Sequence, residues 1–366
     1  MKTYTPLERS YIWLHNAARN RTQLFEQVYA LIPDLNKAFA LAKARRLPPL
    51  PSGGEEALKR LYDAASEAYI DETITWLEKN QAHIIIRESE EYPPLLKEIK
   101  HAPPLVYVKG KLNPGMRLPI AMVGMRKSTQ YGEKVTRHLA GELARSGATI
   151  ISGMALGIDS HAAWGALEAE GGTVAVLGSG IDVIYPGENA GLYYKIAESG
   201  AVISEFLPGT KPLRANFPQR NRVISGLSLG VVVVEAAERS GTTITANYAL
   251  EQNRDVFAVP GRITDKSSVG PNGMIQRGEA KPVYCAADIL CEYGACPAPV
   301  RPMADIDLSA LSPFEGCIVQ ELKKGERNAD ELCEILSAPV QQVNSCLTSL
   351  QFSGIIKQLP GRVFGL

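Results

Sequence analysis

Glycine-rich loops follow three of the apolar runs in the sequence and form its first candidate site. They occupy positions 124–129 (GMRKST), 153–160 (GMALGIDS) and 178–180 (GSG). Glycine lets the backbone approach an anion closely, and free amides at the start of a following helix favour phosphate. A single loop of this kind is usually only a tight turn, but three in succession on one sheet edge favour a site for phosphate or a nucleotide.

These loops do not match the common nucleotide-binding motifs. The GSG at 178–180 is followed by Ile-Asp-Val, so the third small residue of a dinucleotide fingerprint is missing. The phosphate-loop pattern GxxxxGK(S/T) occurs nowhere in the chain. We therefore predict no bound cofactor.

A basic segment at 206–230 carries the strongest charge signal in the chain. Its sequence is FLPGTKPLRANFPQRNRVISGLSLG, and no acidic residue lies between Glu205 and Glu235. Such a stretch indicates an anionic partner, because guanidinium groups bind phosphate and a nearby aromatic ring stacks on a base. The alternative is that the ring packs in the core and the arginines cap helix ends. The residues concerned are Lys211, Arg214, Phe217, Arg220 and Arg222.

Catalytic chemistry has little support in the sequence. Asp159, Ser160 and His161 are consecutive, and consecutive residues at a helix start point in different directions, so they do not form a triad. We expect Asp159 or Ser160 to cap the helix. Glu235 ends an apolar run before SGTT, but it has no partner carboxylate nearby in the sequence. The sequence therefore predicts a protein that is not an enzyme.

The six cysteines do not suggest a metal site. They contain no CxxC pair and no histidine lies near them, so a zinc site at Cys285, Cys291 and Cys296 is disfavoured. We expect reduced thiols and no bound metal.

The elements that must position the loops alternate between apolar runs and amphipathic helices. From position 82 the runs include AHIII, LVYV, PIAMVG, ATIISG, TVAVLG, AVIS, VVVVEA and DVFAVPG. Strands that are apolar throughout are covered on both faces, which predicts a mainly parallel sheet with helices on each side. The fold class is therefore α/β, with a Rossmann-like domain at 81–293.

Smaller domains are predicted at both ends. Residues 1–80 have helical periodicity in Leu7–Ala18, Thr22–Arg45 and Glu55–Lys79, which predicts a small helical (SAM-like) domain. It lacks a glycine-centred hairpin for phosphate, so we expect a structural or regulatory role. A proline-rich linker is predicted at 294–311, followed by a winged-helix domain at 312–366.

The winged helix is not expected to read DNA sequence. Its recognition helix, Val340–Phe352, contains no Lys or Arg, and 312–366 holds five basic and six acidic residues. Proteins that bind duplex DNA normally carry a basic face. Lys357 and Arg362 in the wing are expected to give at most a weak contact with DNA. We expect a protein contact or a self-regulatory role.

Composition limits the class of protein. The 366 residues include 39 basic and 39 acidic ones, so any nucleic-acid site depends on local charge segregation. No apolar run approaches the ~20 residues that span a bilayer, and the start lacks the pattern of a signal peptide. We predict a cytoplasmic protein with no membrane partner.

The ordered motifs of positions 92–293 closely resemble the DNA-processing protein A (DprA) family. They include YPPLLKEIKHAPPLVYVKG (92–110), VGMRKSTQYG (123–132), ISGMALGID (151–159), AVLGSGIDVIYPGEN (175–189), NFPQRNRVISGLS (216–228), VVEAAERSGTTITANYALEQNRDVFAVPG (233–261) and GPNGMIQRGEA (270–280). The helical start and the winged helix also suit longer members of that family.

The resemblance implies a homodimer that binds single-stranded DNA. It also implies protection of incoming DNA and help in loading RecA recombinase during natural transformation. The DNA-binding positions that it implies are Gly124, Arg126, Lys127, Gly153, Gly157, Arg220, Asn221 and Arg222. The charge pattern adds Lys211 and Phe217.

Two departures and two alternatives accompany this interpretation. Met125 stands where the family usually has Ser or Thr, and Ala163 stands where it often has His. One alternative is a Rossmann-type nucleoside-monophosphate hydrolase, but its PGGxGT motif is approached only by PGEN and SGTT. The other is a nucleotide-sensing module without a DNA role.

Overall fold

The apolar runs of the sequence become the strands of one nine-stranded sheet. The computed structural model describes residues 3–20, 22–52, 54–238, 240–295, 311–323, 325–352, 355–359 and 363–365. The strands are β1 (Ala82–Ile86), β2 (Leu105–Gly110), β3 (Leu118–Val123), β4 (Ala148–Ser152), β5 (Thr173–Val176), β6 (Ala201–Ser204), β7 (Gly230–Val233), β8 (Asp255–Ala258) and β9 (Lys281–Pro282).

The order of the strands creates a switch point beside β3. The sheet runs β1-β2-β6-β5-β4-β3-β7-β8-β9, with parallel pairing from β6 to β9 and antiparallel pairing of β1 with β2 and of β2 with β6. From β3 the chain first builds outward through β4, β5 and β6, and then through β7, β8 and β9 on the other side. The predicted Rossmann-like, mainly parallel fold is confirmed.

Helices cover both faces of this sheet, and α1 to α5 precede its first strand in the chain. They are α1 (Pro6–Ala18), α2 (Thr22–Leu31), α3 (Leu35–Lys43), α4 (Gly54–Asp63), α5 (Glu67–Lys79), α6 (Pro94–Lys97), α7 (Gln130–Arg145), α8 (Ile158–Glu168), α9 (Ala190–Ser199), α10 (Asn216–Gly226), α11 (Gly241–Glu251), α12 (Val269–Gln276) and α13 (Ala286–Leu290).

The stretches of helical periodicity near the start are helical, and two of them each contain two helices. In Thr22–Arg45, Pro33 separates α2 from α3, and Asp34 caps α3 by accepting a hydrogen bond from the Lys37 amide at 3.1 Å. In Glu55–Lys79, α4 ends at Asp63 and α5 begins at Glu67.

The first helices share a hydrophobic core with the sheet. Trp13 of α1 and Tyr107 of β2 are fully buried in one apolar cluster, which also contains Leu177 beyond β5. Residues Met1–Cys296 accordingly form one compact unit. The boundary between a helical and a Rossmann-like domain near residue 80 stays a prediction.

The second unit, Pro297–Leu366, has the winged-helix arrangement predicted from the sequence. It contains α14 (Pro313–Lys323), β10 (Arg327–Asn328), α15 (Ala329–Leu336), α16 (Val340–Phe352), β11 (Lys357–Leu359) and β12 (Val363–Gly365). The strands form an antiparallel sheet in the order β10-β12-β11 over a core that includes Ile318, Leu332 and Leu347. Most of the predicted linker at 294–311 lies outside the described residues, as do Arg362 and the side chain of Lys357.

The described residues include features that concern membrane spans, metal ions and free thiols. None of their helices is both long and apolar enough to cross a bilayer. They include no group of three or more His, Cys, Asp or Glu side chains placed to hold a metal ion. Cys285, Cys317, Cys333 and Cys346 are free thiols, whereas Cys291 is disulfide-bonded, so the expectation of reduced thiols is wrong for Cys291.

Candidate functional site

A cleft opens where β3, β4, β5 and β7 end, beside the switch point of the sheet. It consists of two adjoining pockets with volumes of about 410 and 40 Å³. Both are lined by Arg126, Ala155, Phe217 and Arg220. Ligands of open parallel sheets bind at this position because loops diverge there to either side.

The first glycine loop supplies two exposed cations to the larger pocket. Arg126 and Lys127 are exposed and line it together with Gly124. A Cβ at Gly124 would lie 2.5 Å from the Ile158 side chain, so only glycine lets the first loop pack on α8. The packing places the two cations at the mouth of the cleft.

The second glycine loop is held tightly against the first. Gly157 has φ +76°, and a Cβ there would lie 2.3 Å from the carbonyl oxygen of Met125. The Ile158 amide donates to that same oxygen at 3.2 Å. Gly157 therefore lies behind the cleft and positions the loops, while Gly153 lines the smaller pocket.

Asp159 points back into the second loop. Its carboxylate accepts hydrogen bonds from the amides of Gly153 at 3.1 Å and Ala155 at 3.5 Å. The cap of α8 is Gly157, without a side-chain bond, and the Ser160 hydroxyl donates to the Ala155 carbonyl at 2.7 Å. The prediction that Asp159 or Ser160 caps the helix is therefore wrong, because both side chains form hydrogen bonds with backbone groups of the second loop instead.

Arg220 is a buried cation at the floor of the cleft. Its Nη1 donates to the carbonyls of Gly153 at 2.6 Å and Val176 at 2.5 Å, at the ends of β4 and β5. Burial lowers the pKa of Arg220 to about 10, the Asp159 carboxylate opposes this shift, and the nearby Arg126 adds to it. Arg220 therefore remains charged at neutral pH.

An aromatic ring lies close to both guanidinium groups. The Phe217 ring centre lies 5.1 Å from Cζ of Arg126 and 5.8 Å from Cζ of Arg220. A Cβ at Gly178 would lie 2.8 Å from the ring, so the third glycine loop makes room for it. The Tyr185 ring lies 5.8 Å from that of Phe217, between centres.

Sequence reasoning missed the aromatic rim of the smaller pocket. Tyr185 and Leu156 both line it and are 41 % and 38 % exposed. The available signal was a Tyr-Pro pair a few residues after the third glycine loop. These side chains give the cleft an apolar wall beside its cations.

The start of α11 forms the other wall of the larger pocket. Ser240, Gly241, Thr242 and Thr245 line it, and the Asn221 amide donates to the Gly241 carbonyl at 3.2 Å. The sequence pattern does not single these residues out as a site, although SGTT follows Glu235.

Glu235 holds the start of α7. Its carboxylate accepts from the Thr129 amide at 2.9 Å and from the Thr129 hydroxyl at 2.5 Å. Thr129 is the N-cap of α7, and a Cβ at Gly132 in the first turn would lie 2.3 Å from the same carboxylate. The Glu235 carboxylate therefore holds the loop that carries Arg126.

Lys211 and Arg222 do not line the cleft. Lys211 is exposed on the segment before α10, and its carbonyl accepts from the Asn216 amide at 3.2 Å. Arg222 lies on another side of α10, where it pairs with the buried Glu205 carboxylate and donates to the His101 carbonyl at 2.7 Å. The contacts of Arg222 are therefore structural, and they do not support its predicted role as a DNA contact.

The structure brings most of the remaining predicted positions together. Those that line the cleft are Gly124, Arg126, Lys127, Gly153, Phe217, Arg220 and Asn221. With two exposed cations, one buried cation and aromatic rings, this surface is suited to phosphate oxygens and the faces of planar bases. Their role in binding DNA stays a prediction.

Two family models match the chain. The model described as DNA recombination-mediator protein A matches residues 83–294. The model of the DprA winged helix domain matches residues 302–362.

Known proteins resemble both the sequence and the fold. Protein Smf of Escherichia coli (strain K12) is 39% identical over 302 residues, which cover 80% of this chain and 79% of that protein. DNA processing protein DprA of Bacillus subtilis (strain 168) is 46% identical over 209 residues, covering 56% and 69% respectively.

Two solved structures extend the comparison to three dimensions. DNA processing protein A from Streptococcus pneumoniae has a TM-score of 0.67 at 33% identity, covering 80% of this chain and 99% of that chain. DNA processing protein A from Helicobacter pylori, described for its single-stranded DNA binding mode, has a TM-score of 0.52 at 28% identity, covering 58% and 95%.

Proposed function

The chain belongs to the DNA recombination-mediator protein A family, and from this premise we propose that it binds single-stranded DNA in the cleft beside the switch point. The Helicobacter pylori relative is described as binding single-stranded DNA. The chemistry of the cleft in this chain supports the same ligand class.

One observation carries the proposal: Arg126 and Arg220 both lie against the Phe217 ring. Two guanidinium groups so close together repel each other, and the charge of Arg126 contributes to the lowered pKa of Arg220. An anion in the cleft relieves this repulsion. The neighbouring rings of Phe217 and Tyr185 favour an anion that also carries planar groups, as a nucleic-acid strand does.

Single strands are the favoured form because their bases are free to stack. In a duplex the faces of the bases are occupied by their neighbours, so Phe217 and Tyr185 have nothing to contact. Phosphate and backbone contacts read no base edges, so little sequence preference is expected.

We extend the proposal to the cellular role that family membership supports. The protein acts as a homodimer in the cytoplasm, protects incoming single-stranded DNA and helps to load RecA recombinase onto it during natural transformation. It performs this role without turnover. The contacts of Asp159 and Glu235 with backbone amides favour a structural use of both carboxylates over the hydrolase alternative.

Competition binding tests the proposal. A labelled single-stranded oligonucleotide is displaced by unlabelled single-stranded or duplex DNA of the same sequence, over a range of salt concentrations. Neutralising about three to five phosphates gives a slope of log affinity against log salt of about −2 to −3.5. Equal or tighter binding of the duplex overturns the proposal.

A further inference from the structure

We propose that Asn20, at the end of α1, is a positioning residue for the cleft that acts through the turn at 207–210. This inference rests on the proposed function, because its readout is binding of single-stranded DNA. Asn20 itself is remote in sequence from every glycine loop. It connects the N-terminal helices to the basic segment that carries Lys211.

The backbone at the end of α1 aims the Asn20 side chain. Arg19 has φ +47° and Asn20 has φ +65°, so two successive residues adopt the left-handed conformation. Asn is one of the few residues besides glycine that tolerates this region well. The chain reverses there, and the Asn20 amide faces the segment that follows β6.

The Asn20 amide bridges both ends of one turn. Its Oδ1 accepts from the Leu207 amide at 2.8 Å, and its Nδ2 donates to the Thr210 hydroxyl at 3.2 Å. The turn is closed by the Thr210 amide, which donates to the Leu207 carbonyl at 3.1 Å. The Thr210 hydroxyl also donates to the Leu207 carbonyl at 2.6 Å and the Gly209 amide donates to the Asp182 carboxylate at 2.8 Å, so Asn20 adds the link from this turn to α1.

The turn packs directly on the third glycine loop. The Gly180 amide donates to the Thr210 carbonyl at 2.9 Å, and a Cβ at Gly180 would lie 2.7 Å from the Leu207 carbonyl oxygen. Asn216 then joins the two segments, since its amide donates to the carbonyls of Gly178 and Lys211 at 3.2 Å each. Any displacement of the turn therefore moves the third glycine loop, whose Gly178 lines the cleft and packs against Phe217.

The N-terminal helices provide a firm base for this bridge. Trp13 of α1 is fully buried and donates to the Leu61 carbonyl at 2.9 Å, while His15 contacts the Glu205 carbonyl at 3.1 Å. Asn20 thus extends from a well-packed helix. This gives the first helices a use in DNA binding that requires no contact with DNA.

The test compares two substitutions that preserve the left-handed backbone. Asn20→Gly removes both hydrogen bonds, whereas Asn20→Asp keeps the acceptor for the Leu207 amide. We expect Asn20→Gly to weaken single-strand binding by about three- to tenfold, the cost of one or two neutral hydrogen bonds, and Asn20→Asp to weaken it less. Thr210→Val removes the partner of Asn20 Nδ2, together with the bond of that hydroxyl to the Leu207 carbonyl, and serves as a second route if Asn20→Gly does not fold.

A double-mutant comparison separates positioning from general damage. Combined with Phe217→Leu, Asn20→Gly should cost little further affinity, because Phe217 packs on the third glycine loop that the turn positions. Combined with Lys127→Ala, in the first loop, it should cost its full amount. Equal costs in the two backgrounds mean that Asn20 only stabilises the fold and overturn the inference.

The outcome also distinguishes this inference from the proposed function. If Arg126→Ala weakens binding and Asn20→Gly binds as the unmodified protein does, the cleft assignment stands and the role of Asn20 is wrong. If neither variant changes binding, the cleft assignment fails and the inference fails with it.

Discussion

Asp159 and Arg220 hold opposite sides of a single residue, Gly153. The Gly153 amide donates to the Asp159 carboxylate at 3.1 Å, and its carbonyl accepts from Arg220 Nη1 at 2.6 Å. Burial raises the pKa of Asp159 and lowers that of Arg220, while each charge partly compensates the other. The end of β4 is therefore fixed by two buried charges, and Gly153 is the point where they meet.

The first prediction is that position 153 has no room for a side chain. An added Cβ would lie 2.5 Å from the Arg220 guanidinium, which is held by carbonyls on two strands. Gly153→Ala should lower the free energy of unfolding by about 1–3 kcal/mol, as overpacking does, and weaken single-strand binding. Urea unfolding and oligonucleotide titration measure the two effects.

Gly191→Ala is the matched control, because Gly191 is exposed in α9 and nothing lies within 4 Å of its Cβ position. Its free energy of unfolding should stay the same or rise by up to about 1 kcal/mol. A Gly153→Ala variant as stable as this control would show that Arg220 is not fixed at Gly153.

The second prediction separates the charge of the cleft from its aromatic surface. Arg126→Ala should cost about 1.5–3 kcal/mol of single-strand binding, as a charge-assisted contact does, and reduce the salt slope by about 0.7. Phe217→Leu should cost about 1–3 kcal/mol by loss of stacking, with the salt slope unchanged. Titrations at several salt concentrations measure both.

Lys134→Ala is the control for lost charge, since Lys134 is exposed on α7 and does not line the cleft. It should bind almost as the unmodified protein does. Early melting of Arg126→Ala would reveal a structural residue, because an exposed side chain at the cleft mouth should not affect folding.

The third prediction concerns Glu235. Glu235→Gln weakens the charge-assisted hydrogen bonds to Thr129 and should lower stability by about 1.5–3 kcal/mol. Glu238→Gln, at an exposed position of the same segment, should leave stability unchanged. Neither the unmodified protein nor the variant should hydrolyse ATP, nucleoside monophosphates or DNA. A hydrolysis rate abolished by Glu235→Gln would instead restore the hydrolase alternative.

The fourth prediction follows from the buried imidazole of His15. Burial lowers the pKa of His15 to about 4, with the hydrogen bond to the Glu205 carbonyl opposing the shift. Between about pH 6.5 and 4 the unfolded chain binds a proton that the folded chain does not. The free energy of unfolding is therefore highest above this range. It falls as the pH is lowered through the range, by about 2 kcal/mol at pH 5.

His15→Gln removes this titration, so its free energy of unfolding should fall less between pH 7 and pH 5. His138→Gln is the control, because His138 is exposed on α7 and should keep the pH dependence of the unmodified protein. Identical pH profiles for His15→Gln and the unmodified protein would contradict the assignment.

The fifth prediction concerns the winged-helix unit. The exposed face of α16 presents uncharged polar residues such as Gln341, Asn344 and Thr348, and α15 exposes Asp330 and Glu334. The described side chains of this unit form no basic face, so it should contribute little to DNA affinity. A truncation after Ala310 should retain most single-strand binding. Loss of nearly all binding would make this unit the main DNA surface.

Local patterns in the sequence determined the class of fold and the loops of the cleft. PIAMVG and the four valines before Glu235 are apolar throughout, and only a sheet covered on both faces buries such strands fully. Because parallel strands end on the same edge, the glycine loops that follow β3, β4 and β5 had to lie together. The excess of positive charge at 206–230 was likewise visible without coordinates.

Tertiary packing decided which of those basic residues face the cleft. The sequence did not predict α10, because Pro218 and the polar residues of Asn216–Gly226 hide its periodicity. Once it forms, Arg220 and Arg222 lie about 200° apart around its axis. One therefore meets the ends of β4 and β5, whereas the other pairs with Glu205. The contact of Asn20 with the turn at 207–210 was equally beyond the sequence, since residues so far apart meet only when α1 packs against the sheet.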